Sequence, residues 1–259
     1  MQPRVALATC AALPRLADDE QPLLAALHKR GVVAEPAVWD QRSLDWSIYD
    51  LVVVRSTWDY TARRERFLGW AQALPRVLNP AEVVRWNTDK RYLSELPRAL
   101  ATQFIEPAQR WLPPSGEYVI KPAVSAGARD TARYGPGDED RARAHVDRLL
   151  AAGRVAMLQP YVSTVDLRGE TALVYLAGEY SHAICKGQML ARDESPTRKL
   201  YAEEVIGARE PSSEERTAAE EVLDSLRWPR EQLLYARVDL VAGPRGEPQL
   251  LELELTEPS

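Results

Sequence analysis

The sequence predicts an α/β protein whose C-terminal part turns α+β, and three observations carry that prediction. The first 85 residues alternate apolar strand-like runs with amphipathic helical stretches. From Val155 onward strand patterns dominate. The chain then closes on two arms of period two, Tyr235-Ala-Arg-Val-Asp-Leu-Val and Gln249-Leu-Leu-Glu-Leu-Glu-Leu255, joined by the turn Gly243-Pro-Arg-Gly246. Apolar strands separated by helices imply a parallel sheet covered on both faces, and alternating arms around a Gly/Pro turn imply an antiparallel hairpin.

In chain order, Val5 to Thr9 reads as a buried strand. Asp19 to Arg30 reads as a helix with Leu23, Leu24 and Leu27 on one face and Gly31 as its stop. Val32 to Trp39 is a second strand, and Asp50-Leu-Val-Val-Val-Arg55 a third, too apolar to be half-exposed. Ligands of such sheets gather beyond the C-terminal strand ends, where Arg55-Ser-Thr-Trp-Asp-Tyr60 falls. Arg64 to Leu74 is helical, with Phe67, Trp70, Ala71 and Leu74 inward. Thr88 caps a helix through Leu96, and Pro107 to Pro114 is a surface connection. Glu117-Tyr-Val-Ile-Lys121 is a strand stopped by Pro122, and Asp140 to Ala152 is a helix ended by Gly153. Strands follow at 155–161, 170–177, 180–186 and 201–206, and the capping box Ser212-x-x-Glu215 opens one more helix.

The 259 residues suffice for one large domain or for two to three subdomains around shared cores. A net charge of −5 without a basic run argues against nucleic acid as a partner. No apolar run reaches membrane-spanning length and no signal-peptide pattern opens the chain, so no membrane partner and a cytoplasmic location are expected. Cys10 and Cys185 make no disulfide framework, and the 3 histidines are too scattered for a zinc site. Chemistry must then rest on carboxylates, lysines and arginines.

Parity sorts the hairpin. Ala236, Val238 and Leu240 share a core face with Leu251, Leu253 and Leu255, while Arg237, Asp239, Glu252 and Glu254 share the other. Carboxylates facing one another across a strand pair repel, and a bound divalent cation reverses that penalty. Removing one of them is therefore expected to leave the fold intact. The opposing reading is a solvated acidic face. Upstream, Lys121 precedes the small-residue loop Pro122-Ala-Val-Ser-Ala-Gly-Ala128, which suits phosphate: the ammonium neutralises charge and small side chains let backbone N–H groups approach. Met157-Leu-Gln-Pro-Tyr-Val162 offers an apolar strand against which a planar base can lie, and Asp166 and Glu170 follow as acids for ribose hydroxyls.

In this order the residues resemble the ATP-grasp superfamily, over about residues 86 to 257. The resemblance implies an ATP-grasp fold behind a Rossmann-like pre-ATP-grasp subdomain. It implies a substrate-side unit at 1–85, a middle unit with lysines and phosphate loop at 86–158, and a C-terminal unit with hinge and metal ligands at 159–259. Lys90 and Lys121 resemble the two nucleotide lysines, Ser125 to Ala128 with Gly127 the phosphate loop, Gln159 to Tyr161 the adenine hinge, and Asp166 the ribose acid. Asp239 and Glu252 resemble the metal ligands. Glu254 stands where the superfamily usually has Asn, an added charge that calls for a second Mg²⁺ or a basic partner such as Arg237. The implied cofactors are ATP and Mg²⁺, as two ions.

A narrower resemblance rests on Arg55-Ser-Thr-Trp-Asp-Tyr60, Trp86-Asn-Thr-Asp-Lys90, Lys121 to Ala128, Gly178-Glu-Tyr-Ser-His-Ala183 and Leu251 to Ser259. These are similar to the subgroup containing the cyclo-ligase that closes O-ureido-D-serine into D-cycloserine. The implied enzyme is an ADP-forming ligase that activates a small carboxylate as an acyl phosphate and forms a C–N bond. Its partner is that small-molecule carboxylate, and homo-oligomerisation stays open. Arg237 and Lys186 would act on the transferred phosphoryl group, and Arg55, Ser56, Trp58, Asp59 and Tyr60 would hold the substrate. On residues alone, a salt bridge from Arg55 to Asp59 or Asp50 competes with that role, as packing does for Trp58 and Tyr60. A carboxylate–amine ligase of another pathway and a non-catalytic nucleotide-binding regulator remain as alternatives.

Overall fold

The computed structural model describes residues 2–188, 190–192, 195–197, 199–201 and 205–257. The apolar run of β1 (Arg4–Thr9) sits in mid-sheet, flanked by β2 (Val33–Val38) and β3 (Leu51–Val54), with the short β4 (Val77–Leu78) outside β3, all parallel. Alternate side chains of β1 and β3 serve opposite cores. Ala6, Ala8, Val52 and Val54 pack with Phe67 and Leu68 of α2 (Arg64–Ala73), whereas Val5, Leu7 and Val53 pack toward Leu24 and Leu27 of α1 (Gln21–Lys29). Leu23, expected on the same face of α1, is 37% exposed.

Helix α3 (Ala81–Asn87) and a 3₁₀ segment over Lys90–Glu95 lead into a second sheet. It comprises β5 (Gln103–Ile105), β6 (Tyr118–Pro122), β7 (Ala132–Tyr134) and β8 (Ala156–Pro160), in the antiparallel order β5-β8-β6-β7, with α4 (Glu139–Ala151) packed on Ile120 and Leu158. The short α5 (Val165–Arg168) precedes the third sheet, antiparallel throughout. Its strands are β9 (Glu170–Leu176), β10 (Glu179–Lys186), β11 (Ile206–Arg209), β12 (Tyr235–Ala242) and β13 (Pro248–Glu254), ordered β11-β10-β9-β12-β13. Helix α6 (Ser213–Asp224) carries the expected capping box and buries Ala218, Val222 and Leu223 against Val238, Leu240 and Leu253.

Local readings needed correction. Thr88 closes α3 as its C-cap, and the next segment is capped by Asp89, whose carboxylate accepts from the Arg91 amide. Pro122 does not stop β6; it is the last strand residue, paired with Ala156, since a strand end tolerates a missing N–H. Of the strand expected at 201–206, residues 202–204 lie outside the described residues, and β11 runs over Ile206–Arg209. The largest correction concerns the hairpin. Asp239 pairs with Glu252 but Leu240 pairs with Leu250, so a bulge makes Leu251 the extra residue. Parity inverts there: Leu250 is fully buried in the core beside Leu240, and Leu251 turns to the opposite face.

β13 is an edge strand, yet its outer edge is closed by side chains. Tyr92 Oη accepts from the Leu253 amide and lies 2.7 Å from its carbonyl, Asn87 bridges Leu253 and Leu255, and Asn79 Nδ2 donates to the carbonyls of Tyr235 and Leu255. Together with the backbone of residues 98–100, which pairs with Leu250, these side chains replace the missing neighbour strand. Replacing Asn87→Ala removes bonds to Leu253, Leu255 and Thr256 and leaves buried backbone groups unpaired. It should cost about 2–4 kcal/mol, read as a lowered denaturation midpoint; an unchanged midpoint would mean that water replaces the amide.

Candidate active site

The second and third sheets face each other across a cavity of about 480 Å³. One end is apolar. Val119 comes from β6 and Val162 from the segment after β8, while Val241 and Leu251 come from β12 and β13, forming a slot open to a planar ring. Leu251 reaches this wall because of the bulge, and sequence alternation could not reveal it. Of the hinge residues, Gln159 and Tyr161 line the slot, but the Tyr161 amide donates to the Glu117 carbonyl at 2.8 Å. Val162 therefore carries the next amide along the hinge. Asp166 is not among the residues lining the cavity; it takes the Tyr161 hydroxyl and Arg133, whose guanidinium lies 3.5 Å from the Tyr161 ring centroid.

The other end is ionic, and it overturns the expectation of mutually repelling carboxylates. Arg237 Nε donates to Asp239 at 2.8 Å and Lys186 Nζ at 3.4 Å. Lys90 Nζ lies 3.0 Å from Glu252, Lys121 Nζ lies 3.9 Å from it, and Lys90 also donates to the Ser125 carbonyl at 2.7 Å. Four cations from four segments thus neutralise two facing acids. Burial opposes ionisation of Glu252, yet Lys90 and Lys121 outweigh it and hold its carboxyl down at about 2. Asp239 is likewise lowered, against burial, by Arg237 and Lys186. Glu254 stands opposite Arg237 in register, but burial raises it, and one of its oxygens accepts the amides of Thr256 and Glu257. Glu170, beside Lys186 and Lys121, is raised to about 7 by burial.

The phosphate-loop candidates Ser125 and Gly127 border the same cavity. Gly127 has a φ of +58°, and a Cβ there would stand 2.6 Å from Tyr201 Cβ, so the position requires glycine. The candidate substrate turn divides. Trp58 faces the cavity, edge-on to Tyr201 at 5.0 Å. Arg55 pairs with Glu20 at 2.6 Å, neither with Asp59 nor with Asp50, and Ser56 donates to the same carboxylate. Asp59 accepts from Trp39 and Arg63, and Tyr60 stacks on Phe67. Asp18, Asp19 and Glu257 also line the cavity, and sequence reasoning missed all three.

Mg²⁺ binds through one or two carboxylates and takes the rest from phosphate and water. Asp239 and Glu252 on facing strand positions fit that mode. Among the described residues no three acidic, histidine or cysteine side chains converge into a preformed cage, which also fits a cation that arrives with phosphates.

A cleft between two antiparallel sheets, with Lys121 of one meeting Glu252 of the other and Lys90 reaching the same acid from the 3₁₀ segment, is the architecture of the ATP-grasp fold. Solved ligases agree: the chain superposes on D-alanine–D-alanine ligase from Bacillus anthracis complexed with ATP with a TM-score of 0.63 at 13% identity, covering 98% of this chain and 86% of that one. It matches the ATP-grasp ligase PsnB with a TM-score of 0.59 at 18% identity, over 100% and 92%. The N-terminal-domain model of D-cycloserine synthetase DcsG matches residues 5–79. The cycloserine biosynthesis protein DcsG of Streptomyces lavendulae is 36% identical over 93% of this chain and 87% of its own, and the crystal structure of D-cycloserine synthetase DcsG superposes with a TM-score of 0.86 over 98% and 92%. The chain belongs to the DcsG family of ATP-grasp ligases. It is an enzyme that uses ATP to form carbon–nitrogen bonds.

Leu251→Ala strips one wall of the slot and should weaken ATP binding by roughly 1–2 kcal/mol with no loss of fold, measured by calorimetry; unchanged affinity would remove Leu251 from the base site. Asp239→Asn strands two buried cations, so it should destabilise by about 3 kcal/mol or more, contrary to the expectation of an intact fold. Glu254→Gln, which removes charge where acid is in surplus, should leave the melting temperature unchanged or raise it. Equal losses in both variants would contradict this division of roles.

Proposed function

We propose that this ligase closes O-ureido-D-serine into D-cycloserine through an acyl phosphate. The reading is supported most by the 36% identity, across nearly the whole chain, to a cycloserine biosynthesis protein, combined with a cavity whose cations are grouped where phosphates would lie. ATP would lie with its base between Val119 and Leu251 and its phosphates on Lys90, Lys121, Lys186 and Arg237. Asp239 and Glu252 would hold Mg²⁺, which supplies charge neutralisation along the triphosphate. Glu254 and Glu170 are the acids beside them for a second ion.

The substrate carboxylate oxygen attacks the γ-phosphorus and the bond to ADP breaks. Lys186 and Arg237 stabilise the charge on the transferred group, so this step is positioning and electrostatics. The nitrogen bonded to the side-chain oxygen then attacks the acyl carbon, and phosphate leaves. The ring nitrogen still bears a carbamoyl group, which water must remove to give D-cycloserine. Trp58, with Asp18 and Asp19 at the mouth, forms the substrate wall. Arg55 and Ser56 hold the turn through Glu20, and Asp59 and Tyr60 anchor it from behind.

Lys90, Lys121, Lys186 and Arg237 stand beside the acids and border the cavity, so phosphate oxygens would take them as charged donors. Lys121→Ala should therefore weaken MgATP by about 1.5–3 kcal/mol. The decisive assay is ADP release with MgATP and O-ureido-D-serine, with the product identified by mass. Steady ADP release with D-cycloserine as product is the expected result; ADP release only with other carboxylates would assign the enzyme to a different C–N ligation.

A further inference from the structure

Glu257 lies three residues beyond β13 and borders the cavity. It is only 4% exposed, and among the described residues neither carboxylate oxygen makes a well-formed hydrogen bond, the Tyr60 hydroxyl being the donor that lies close to it. A buried carboxylate short of donors is costly, and such groups persist where a ligand supplies the missing bonds. Its surroundings sharpen the demand. The groups acting on it are Glu254 and Glu252, which are acidic, the Tyr60 hydroxyl, and Lys90. Lys90 is already committed to Glu252 and to the Ser125 carbonyl. Burial, reinforced by Glu254, pushes Glu257 well above the usual carboxylate range, as expected of an acid lacking its counter-ion. This corner of the cavity therefore has surplus acceptors and lacks the cation that would let the carboxyl ionise.

We propose that Glu257 receives the ammonium group of the amino-acid substrate. The ammonium N–H groups supply the donors and the counter-charge that the Tyr60 hydroxyl alone does not, and the substrate's own carboxylate points toward the cations that carry the phosphates. The inference rests on the acyl-phosphate reading above, and it assigns Glu257 a role in specificity.

The test measures ADP release by wild type and Glu257→Gln with O-ureido-D-serine and with its deamino analogue, 3-(ureidooxy)propanoate, within a panel of D-amino acids and their deamino acids. Wild type should favour the amino acid at least 100-fold in kcat/KM. Glu257→Gln should raise KM for the amino acid at least tenfold and bring the preference to within a few-fold, with MgATP affinity and melting temperature unchanged. Should that variant fail to fold, Glu257→Asp, which keeps the charge on a shorter arm, should raise KM while retaining the preference. A Gln variant as selective as wild type would overturn the inference alone, and parallel losses of ATP affinity and stability would overturn it in favour of a packing role. Wild type inactive toward every amino acid of the panel would remove the acyl-phosphate reading and the inference together.

Discussion

Asp239 and Glu252 face each other across β12 and β13, where burial opposes their charge and neighbouring cations restore it. Lys90 arrives from the 3₁₀ segment after α3, Lys121 from β6, Lys186 from β10 and Arg237 from β12. Lys186 and Arg237 meet Asp239 within the third sheet, whereas Lys90 and Lys121 reach Glu252 from outside it, so the charge on Glu252 ties the preceding segments to that sheet. Removing one partner of such a pair costs more than never having built it, because the remaining charge is stranded. The arrangement also prepares the chemistry. Under the proposed function, cations positioned by acids would already be in place for phosphate oxygens, with no large reorganisation of dipoles.

That tie needs a fixed hairpin, and β13 is the weakest place for one, being an edge strand. Tyr92, Asn87 and Asn79 supply the bonds that a neighbouring strand would have made. The Tyr235 hydroxyl lies between the Val54 and Thr256 carbonyls, joining the end of β3 to the chain just beyond β13. The parallel sheet thus holds the antiparallel one in register. Its own C-terminal edge then presents Trp58 to the cavity. The bulge at Leu251 completes the fit by turning one apolar side chain from the core toward the slot without moving the acids on either side.

The site was legible where chemistry is unusual for its pattern. Lysine beside a run of small residues, and acids alternating with leucines on a hairpin, are rare enough in combination to read, and the structure gathers Lys90, Lys121, Lys186, Arg237, Asp239, Glu252 and Glu254 around one cavity. Arg55 shows the limit. A charged residue at a strand end reads the same whether it faces a ligand or a buried partner, and Glu20, 35 positions earlier, carries no mark of that pairing. Glu257 is the converse case, an acid in an unremarkable tail whose shortage of donors appears only once the surrounding side chains are in place.

The sequence by itself determined the elements with strong period: the apolar parallel strands, the capping box of α6, the hairpin, and the lysines, arginine and acids that the structure gathers around the cavity. Those depend on neighbours a few positions apart, which local sterics and burial dictate. Tertiary structure alone decided the bulge that reverses Leu251, the side chains that close the β13 edge, and the partner of each charge. These join residues up to 176 positions apart, as Asn79 and Leu255 are. No local pattern encodes such a distance, because the free energy that selects the partner exists only when both groups leave water together.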